Sequence, residues 1–197
     1  MPKQSNIAIF VSGSGTNCEN IIRYFAQDEH IKVALVVSSR RDAYALARAQ
    51  RLGVDTMVVD KSLLADEGYM NQEFDRYGID YIILAGFLMM IPHHIIARYP
   101  KQIMNIHPSL LPKYGGRGMY GHHVHEAVCA NGETETGITI HLVSEVCDGG
   151  EILFQSKVAV DPNDNPDSVE AKVHALEHLH FPSQIKEYIL KSQNKAL

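Results

Sequence analysis

The sequence predicts an α/β fold, a doubly wound and mostly parallel sheet with an antiparallel extension towards its C-terminal end. Short apolar runs alternate with helical patterns through the first half, which is typical of parallel strands joined by helical crossovers. A glycine-rich turn follows the first run, as in sheets that bind ligands at their carboxyl edge. Two later segments alternate residue by residue on either side of an Asp-Gly-Gly turn, which predicts an antiparallel pair. We expect residues 1–197 to form one domain.

Five short apolar runs predict the parallel strands, and four helical crossovers connect them. Asp42 is expected to cap the second helix and Gly53 to end it. A third helix is expected over 66–77, and Pro92 suits the first turn of a fourth that reaches about Tyr99. The predicted strands cover residues 7–11, 33–37, 57–59, 81–85 and 103–106.

The second half of the chain predicts two helices and the antiparallel pair of strands. Asp148 is expected in the turn between these strands. Ser168 is expected to cap the last helix, with Leu179 on its apolar side and a bend near Pro182. The predicted helices cover 122–130 and 168–189, and the strands 136–143 and 152–160.

The overall composition favours a soluble enzyme or binding protein with a small ligand. With 45% hydrophobic residues and a length of 197, the chain has enough material for a stable core without disulfides. Its three cysteines, Cys18, Cys129 and Cys147, are scattered, which indicates reduced thiols and a cytoplasmic location. A net charge of −5 argues against a nucleic-acid partner. No apolar run is long enough to predict a signal peptide or a membrane span.

The turn after the first strand admits two interpretations, a phosphate site or a plain tight turn. Backbone N–H groups at the start of the following helix would suit a phosphate. Gly13 and Gly15 match the start of a dinucleotide fingerprint, but Cys18 stands in place of its third glycine. Arg40 and Arg41 follow the second strand where an acid would bind NAD, which weakens an NAD site and leaves NADP open.

Asn105 and His107 stand out as candidate catalytic residues. Side chains two residues apart lie on the same face of a strand, so an amide and an imidazole would point the same way. Together they could polarise a carbonyl and move a proton. The alternative is a strand end and turn without chemistry. Asp148 is likewise either turn chemistry or, if its turn folds back over His107, a carboxylate that orients the imidazole and raises its pKa.

The histidines near the start of the predicted helix 122–130 raise the question of a metal. His122, His123 and His125 lie close together in the sequence, but only one pair has a useful spacing. No second cluster of ligands accompanies them in a familiar pattern. The sequence therefore predicts no metal site.

Taken together, the motifs resemble those of the phosphoribosylglycinamide formyltransferases, and the resemblance covers nearly the whole chain. The core motif is shared by formyltransferases in general, and the first and last motifs narrow the resemblance to this family. They are residues 11–17 (VSGSGTN), 84–87 (LAGF), 105–114 (NIHPSLLPKY), 148–150 (DGG) and Glu177 with His178. Many relatives carry Arg where Met89 and Asp66 stand here.

The resemblance implies transfer of a formyl group from 10-formyltetrahydrofolate, as co-substrate, to the amine of glycinamide ribonucleotide, on a Rossmann-like formyltransferase fold. Asn105, His107 and Asp148 match the catalytic residues of the family. Gly15, Thr16 and Asn17 match residues that bind the phosphate of the ribonucleotide, and Glu177 matches the residue that accepts hydrogen bonds from its ribose. The matching folate-binding residues are Asn105 and Asp148 with Leu88, Met89, Met90, Ile91, Ser144, Glu145, Val146 and Cys147.

The partners implied are therefore these two small molecules, with no nucleic acid, no membrane, no metal, and a monomer or homodimer in the cytoplasm. Two related activities share the core motif. A methionyl-tRNA formyltransferase is expected to carry a further C-terminal domain, and a formyltetrahydrofolate hydrolase a further N-terminal one. A non-enzymatic nucleotide-binding or NADP-binding module is the alternative from another class.

Overall fold

The structure, a computed structural model, describes residues 4–195. Within them, seven strands form one sheet in the order β3-β2-β1-β4-β5-β6-β7. The strands are β1 Ser5–Val11, β2 Ile31–Ser38, β3 Asp55–Val58, β4 Ile79–Leu84, β5 Ile103–His107, β6 Glu135–Leu142 and β7 Ile152–Ala159. The helices are α1 Thr16–Tyr24, α2 Tyr44–Arg51, α3 Lys61–Ala65, α4 Glu67–Tyr77, α5 His93–Arg98, α6 His122–Ala130 and α7 Pro166–Lys195. The predicted α/β class, mostly parallel with an antiparallel extension, is confirmed.

The chain divides into two compact units. Unit one comprises the residues up to Met104 together with those from Ile185 onwards, and unit two comprises Asn105–Gln184.

No helix within residues 4–195 combines the length and the apolar character needed to cross a membrane.

Unit one is built on parallel strands. β1 pairs in parallel with β2 and β4, and β2 pairs in parallel with β3. Residues Ile7 to Val11 of β1 are completely buried, as expected for a strand in the middle of a sheet that is covered on both faces. Helical crossovers connect these strands in chain order, because parallel neighbours cannot be joined by a tight turn.

Two details of unit one differ from the sequence prediction. Asp42 does not cap α2, whose N-cap is Ala43, because the Asp42 carboxylate accepts two hydrogen bonds from Arg40 at 3.1 and 2.8 Å. A short helix, α3, precedes α4 and was not predicted; the Asp60 side chain caps it. The helix-ending role of Gly53 is confirmed, since it follows Leu52, the C-cap residue of α2, with a φ of +72°.

Unit two contains the antiparallel pair. β6 pairs with β7 from Glu135 opposite Ala159 to His141 opposite Ile152. The two strands approach closely at Gly137, where a Cβ atom would lie 1.9 Å from the carbonyl oxygen of Ser156. Only glycine fits this position, so the pairing depends on it.

The last helix begins earlier and ends later than predicted. Asn165 rather than Ser168 holds the N-cap position: its side-chain oxygen accepts from the Ser168 N–H at 2.9 Å, and the Ser168 hydroxyl accepts from the Asn165 N–H at 3.0 Å. This reciprocal capping box allows Pro166 to occupy the first helical position, where no N–H is needed. The helix continues through Pro182 to Lys195, and Leu179, expected to be buried, is 68% exposed.

Candidate active site

The strand β5 carries both predicted catalytic side chains. Ile103, Met104 and Ile106 are buried in the sheet. Asn105 is half-buried and His107 is 4% exposed. Because the strand is extended through His107, the amide and the imidazole lie on the same face.

His107 is held on both sides of its ring within unit two. Its Nε2 lies 2.7 Å from the Tyr114 carbonyl oxygen, and since a carbonyl can only accept, Nε2–H is the donor. Its Nδ1 lies 3.7 Å from Oδ2 of Asp148, which is too long for a hydrogen bond but close enough for a strong electrostatic effect.

The pKa of His107 is set by opposing effects. Burial lowers the pKa below its usual value and outweighs the Asp148 carboxylate and the Tyr114 carbonyl, both of which raise it. The neighbouring His141 lowers it further. The carboxylate therefore acts on His107 in the predicted direction, but the imidazole as a whole is neutral at neutral pH. A neutral, buried imidazole is suited to accept a proton.

Asp148 folds back towards His107 through an unusual turn. Its φ of +52° places it in the left-handed region, which Asp tolerates better than most residues. The Gly116 N–H donates to its Oδ2 at 2.9 Å. Burial alone would raise the pKa of Asp148, but His141, the Gly116 N–H and His107 lower it more, so the net pKa lies below the usual value. Asp148 is thus a carboxylate at neutral pH.

His141 of β6 is a component of this site that sequence reasoning missed. It is 2% exposed, and its Nδ1 lies 2.9 Å from the Leu142 carbonyl oxygen, so Nδ1 carries the proton. Its bare Nε2 then accepts from Nδ2 of Asn105 at 3.0 Å and lies 3.6 Å from Oδ1 of Asp148. This contact fixes which way the Asn105 amide points. The available signal was an inward-facing histidine in an alternating strand, which did not reveal its partners.

The glycine-rich turn of unit one leads into α1 as predicted. Gly15 is the N-cap residue, with a φ of +75° and no side-chain cap. Its backbone approaches α2 so closely that a Cβ atom would lie 2.4 Å from the Cβ of Ala45. Arg48 of α2 donates to the Ser14 carbonyl oxygen at 2.9 Å and also pairs with Glu19. The result is a rigid helix start where an anion can meet backbone N–H groups.

The segment 88–91 of unit one, one of the two predicted folate-binding segments, is partly open to solvent. Leu88 and Met90 are 56% and 50% exposed, whereas Ile91 is buried. The Leu88 N–H donates to the Ser12 hydroxyl at 2.9 Å, which ties this segment to the turn after β1. Met89 lies between with partial exposure.

The segment 144–148 of unit two, the other predicted folate-binding segment, is a compact turn. The Ser144 hydroxyl lies 3.1 Å from the Val146 carbonyl oxygen, to which it donates. Val146 is 68% exposed, and Cys147 is half-buried with its Sγ 3.7 Å from Oδ2 of Asp148. Glu145 is exposed. Hydrogen bonds therefore hold the backbone of the segment 144–148, while the side chains of Glu145 and Val146 stay exposed.

Glu177, the predicted ribose acceptor, lies on α7 within unit two. Its side chain is 14% exposed, and one oxygen lies 3.6 Å from Nδ1 of His174. The His174 and His178 rings pack against each other with centroids 4.2 Å apart. Of the predicted site residues, His107 and Cys147 thus lie beside Asp148, and Asn105 is connected to Asp148 through His141. The other predicted site residues occupy separate segments of the two units.

Comparison with known proteins identifies the family of the chain. The chain matches the formyl transferase family over residues 5–185. The chain belongs to the formyl transferase family. Among the relatives of this formyl transferase is the chloroplastic phosphoribosylglycinamide formyltransferase of Arabidopsis thaliana, which is 38% identical over 90% of this chain. The chain spans only 63% of the length of that relative. The phosphoribosylglycinamide formyltransferase of Escherichia coli is 36% identical over 90% of the chain and 84% of its own length.

A solved structure shares the fold of this formyl transferase over almost its full length. The crystal structure of phosphoribosylglycinamide formyltransferase from Bacillus halodurans superposes with a TM-score of 0.86 and is 31% identical. The match covers 96% of this chain and 98% of that one.

Proposed function

We propose that the chain transfers the formyl group of 10-formyltetrahydrofolate to the amine of glycinamide ribonucleotide, a step of purine biosynthesis. Family membership and the names of the relatives support this substrate pair. The observation that carries the chemistry is the cluster of a neutral buried imidazole, a carboxylate and an amide on adjacent segments of unit two. The amine attacks the formyl carbon, the new C–N bond forms, and the bond to N10 of the folate breaks.

Asn105 would stabilise the oxyanion that develops on the formyl oxygen. An amide nitrogen has two N–H groups, and His141 accepts one of them. The second is available to donate to an oxyanion, in the manner of an oxyanion hole. Because His141 accepts at Nε2, the amide nitrogen of Asn105 is held in a single orientation.

His107 would take the proton that the amine loses. Its lowered pKa keeps the ring neutral before the reaction. When the ring becomes charged, the Asp148 carboxylate 3.7 Å away stabilises the imidazolium. The proton then passes to N10 as the tetrahydrofolate leaves, with water as a relay, so that no net proton is gained or lost.

Substrate positioning would be divided among three regions. Gly15, Thr16 and Asn17 at the start of α1 would bind the phosphate of the ribonucleotide. Glu177 would accept hydrogen bonds from its ribose hydroxyls. Leu88, Met89, Met90 and Ile91, with Asn105, Ser144, Glu145, Val146, Cys147 and Asp148, would contact the folate. We further propose that residues 1–197 act as one domain, as a monomer or homodimer in the cytoplasm, without a metal in this reaction.

A formyl-transfer assay tests this function. Purified protein with 10-formyltetrahydrofolate is expected to release tetrahydrofolate only when glycinamide ribonucleotide is added. Release without the ribonucleotide would instead show a hydrolase, and no release at all would leave a binding protein. His107→Ala is expected to lower turnover by about 100-fold or more, because it removes the proton acceptor. A folded His107→Ala protein with nearly normal turnover would contradict the role of His107.

A further inference from the structure

The buried side chain of Ser12 connects three segments at the carboxyl edge of the sheet in unit one. Ser12 directly follows β1 and is 2% exposed. Its hydroxyl accepts a hydrogen bond from the Leu88 N–H at 2.9 Å and lies 2.6 Å from the hydroxyl of Ser39, which follows β2. A hydroxyl has one donor and two acceptor sites, so a single oxygen can serve both neighbours at once. The ends of β1 and β2 and the segment after β4 are therefore joined through this oxygen.

The segment 88–91 depends on this bond for the position of its backbone. It contains no helix or strand, and the bond to Ser12 is the one hydrogen bond that it makes within the described residues. Side-chain packing holds its two ends. The Phe87 ring meets the Phe10 ring edge to face with centroids 5.1 Å apart, and Ile91 is buried. Between these packed ends, the position of the backbone rests on the Ser12 hydroxyl.

The glycine-rich turn that follows Ser12 is anchored independently. The Gly13 carbonyl oxygen accepts from the Ala45 N–H at 3.2 Å, and the Ser14 carbonyl oxygen accepts from Arg48 at 2.9 Å. Both donors belong to α2, so neither bond involves the Ser12 hydroxyl. Removing that hydroxyl is therefore expected to release the segment after β4 and to leave the turn in place.

We propose that Ser12 is a positioning residue for the formyl donor, whose hydroxyl holds the segment 88–91 in the arrangement that contacts the folate. This inference rests on the proposed function, in which this segment contacts the folate and the turn binds the ribonucleotide. Without the bond to Leu88, the segment samples more conformations, and the free energy needed to order it reduces the affinity for the folate. Because Ser12 is buried, it acts through Leu88 rather than by contact with the folate.

Calorimetric titration of the full-length chain with tetrahydrofolate and, separately, with glycinamide ribonucleotide tests this role. Neither ligand alone supports turnover, so each Kd is measured at equilibrium. Ser12→Ala is expected to raise the Kd for tetrahydrofolate by about threefold to tenfold, because one hydrogen bond is lost, and to change the Kd for the ribonucleotide by less than about twofold. Ser12→Cys, which is closer in size but a weak acceptor, is expected to act in the same direction.

Amide hydrogen exchange of the Leu88 N–H gives a second readout that needs no ligand. Loss of the acceptor is expected to speed this exchange by at least about threefold in Ser12→Ala, because the segment opens locally more often.

Ser5→Ala is the matched control. Ser5 lies at the opposite end of β1, is 5% exposed, and accepts a hydrogen bond from Gln193 at 2.8 Å. This variant also removes a buried hydroxyl acceptor from β1, and it is expected to leave both Kd values and the exchange of the Leu88 N–H unchanged.

Thermal unfolding checks that each variant is folded. The inference is overturned if the parent chain binds tetrahydrofolate and Ser12→Ala binds it as tightly as Ser5→Ala does. It is also overturned if Ser12→Ala raises both Kd values equally, which would show a general loss of structure, or if the exchange of the Leu88 N–H is unchanged. A parent chain that binds no tetrahydrofolate would overturn the proposed folate site, and this inference with it.

Discussion

Gly15→Ala is expected to destabilise the protein strongly, whereas Gly13→Ala in the same turn is not. An added Cβ at Gly15 would lie 2.4 Å from the Cβ and 2.6 Å from the Cα of Ala45. Ala45 is fully buried, so a shift of α2 away from the turn would disturb the packing around it. An added Cβ at Gly13 would meet no atom within 4 Å.

The size of the effect follows from two contributions. Holding a residue with a side chain at the left-handed φ of +75° costs about 1–2 kcal/mol. Overpacking against a buried helix costs about 1–3 kcal/mol more. The free energy of unfolding should therefore fall by about 2–5 kcal/mol, which corresponds to about 4–20 °C in Tm for a chain of this size. For Gly13→Ala the change should stay within about 0.5 kcal/mol.

Equilibrium unfolding of both variants in urea, followed by circular dichroism, measures these changes. The double variant Gly15→Ala/Ala45→Gly should recover part of the loss, because it removes the nearer contact and leaves the Cα of residue 45 at 2.6 Å. If Gly15→Ala and Gly13→Ala unfold at the same urea concentration, the close approach of this turn to α2 is refuted.

Three further changes probe the electrostatics and the support of the site. Asp148→Asn removes a carboxylate that raises the pKa of His107, so the acidic limb of the kcat/KM profile should move to lower pH, and turnover should fall by about 100-fold. His141→Phe removes the acceptor that orients the neighbouring amide, so kcat should fall by about 100-fold with little change in KM. Lys172 lowers the pKa of Asp164 to about 2. The stability that this pair contributes is therefore present above about pH 4 and lost as the pH falls towards 2. In acid unfolding, Lys172→Met should make the free energy of unfolding depend less on pH over this range.

Matched variants make these results interpretable. His141→Gln keeps an acceptor for the Asn105 amide and should retain more activity than His141→Phe. An acidic limb that moves to higher pH in Asp148→Asn would contradict the described balance of burial and charge at His107. Lys191, which pairs with Glu187 on the surface of α7, serves as the control for Lys172: Lys191→Met should leave the acid dependence of stability unchanged.

The sequence predicted the parallel strands well because their burial leaves a direct trace. Strands such as β1 are buried on both faces, so they read as unbroken apolar runs. The position of Asn105 and His107 on one strand followed from the same period-two geometry. The ends of the helices were harder to predict, because several nearby polar groups can compete for the hydrogen bonds of a cap. Arg40 donates hydrogen bonds to the Asp42 carboxylate, so Asp42 does not cap α2. Asn165, and not Ser168, is the N-cap residue of α7.

The candidate site could be predicted only in part, for a related reason. Alternation shows which face of β6 His141 occupies but not what that face meets. Its contact with Asn105 joins residues 36 positions apart and needs the register of the strands. The sequence likewise indicated that a carboxylate could raise the pKa of His107. It could not show that burial has the larger, opposite effect, because burial is a property of the folded chain.

The contact between His107 and the Tyr114 carbonyl has a consequence for the affinity of any ligand that must contact Nε2 of the imidazole. The protein's own backbone occupies Nε2, so a substrate can use that atom only in the fraction of molecules in which the contact is broken. An apparent Kd then exceeds the intrinsic one by the inverse of that fraction. Tyr114 is itself held by Glu133 and Asn131, each 2.9 Å from its hydroxyl. Neither residue is among those proposed for formyl transfer, and replacing either is expected to loosen Tyr114, to free Nε2 more often and thereby to lower the apparent Kd of such a ligand.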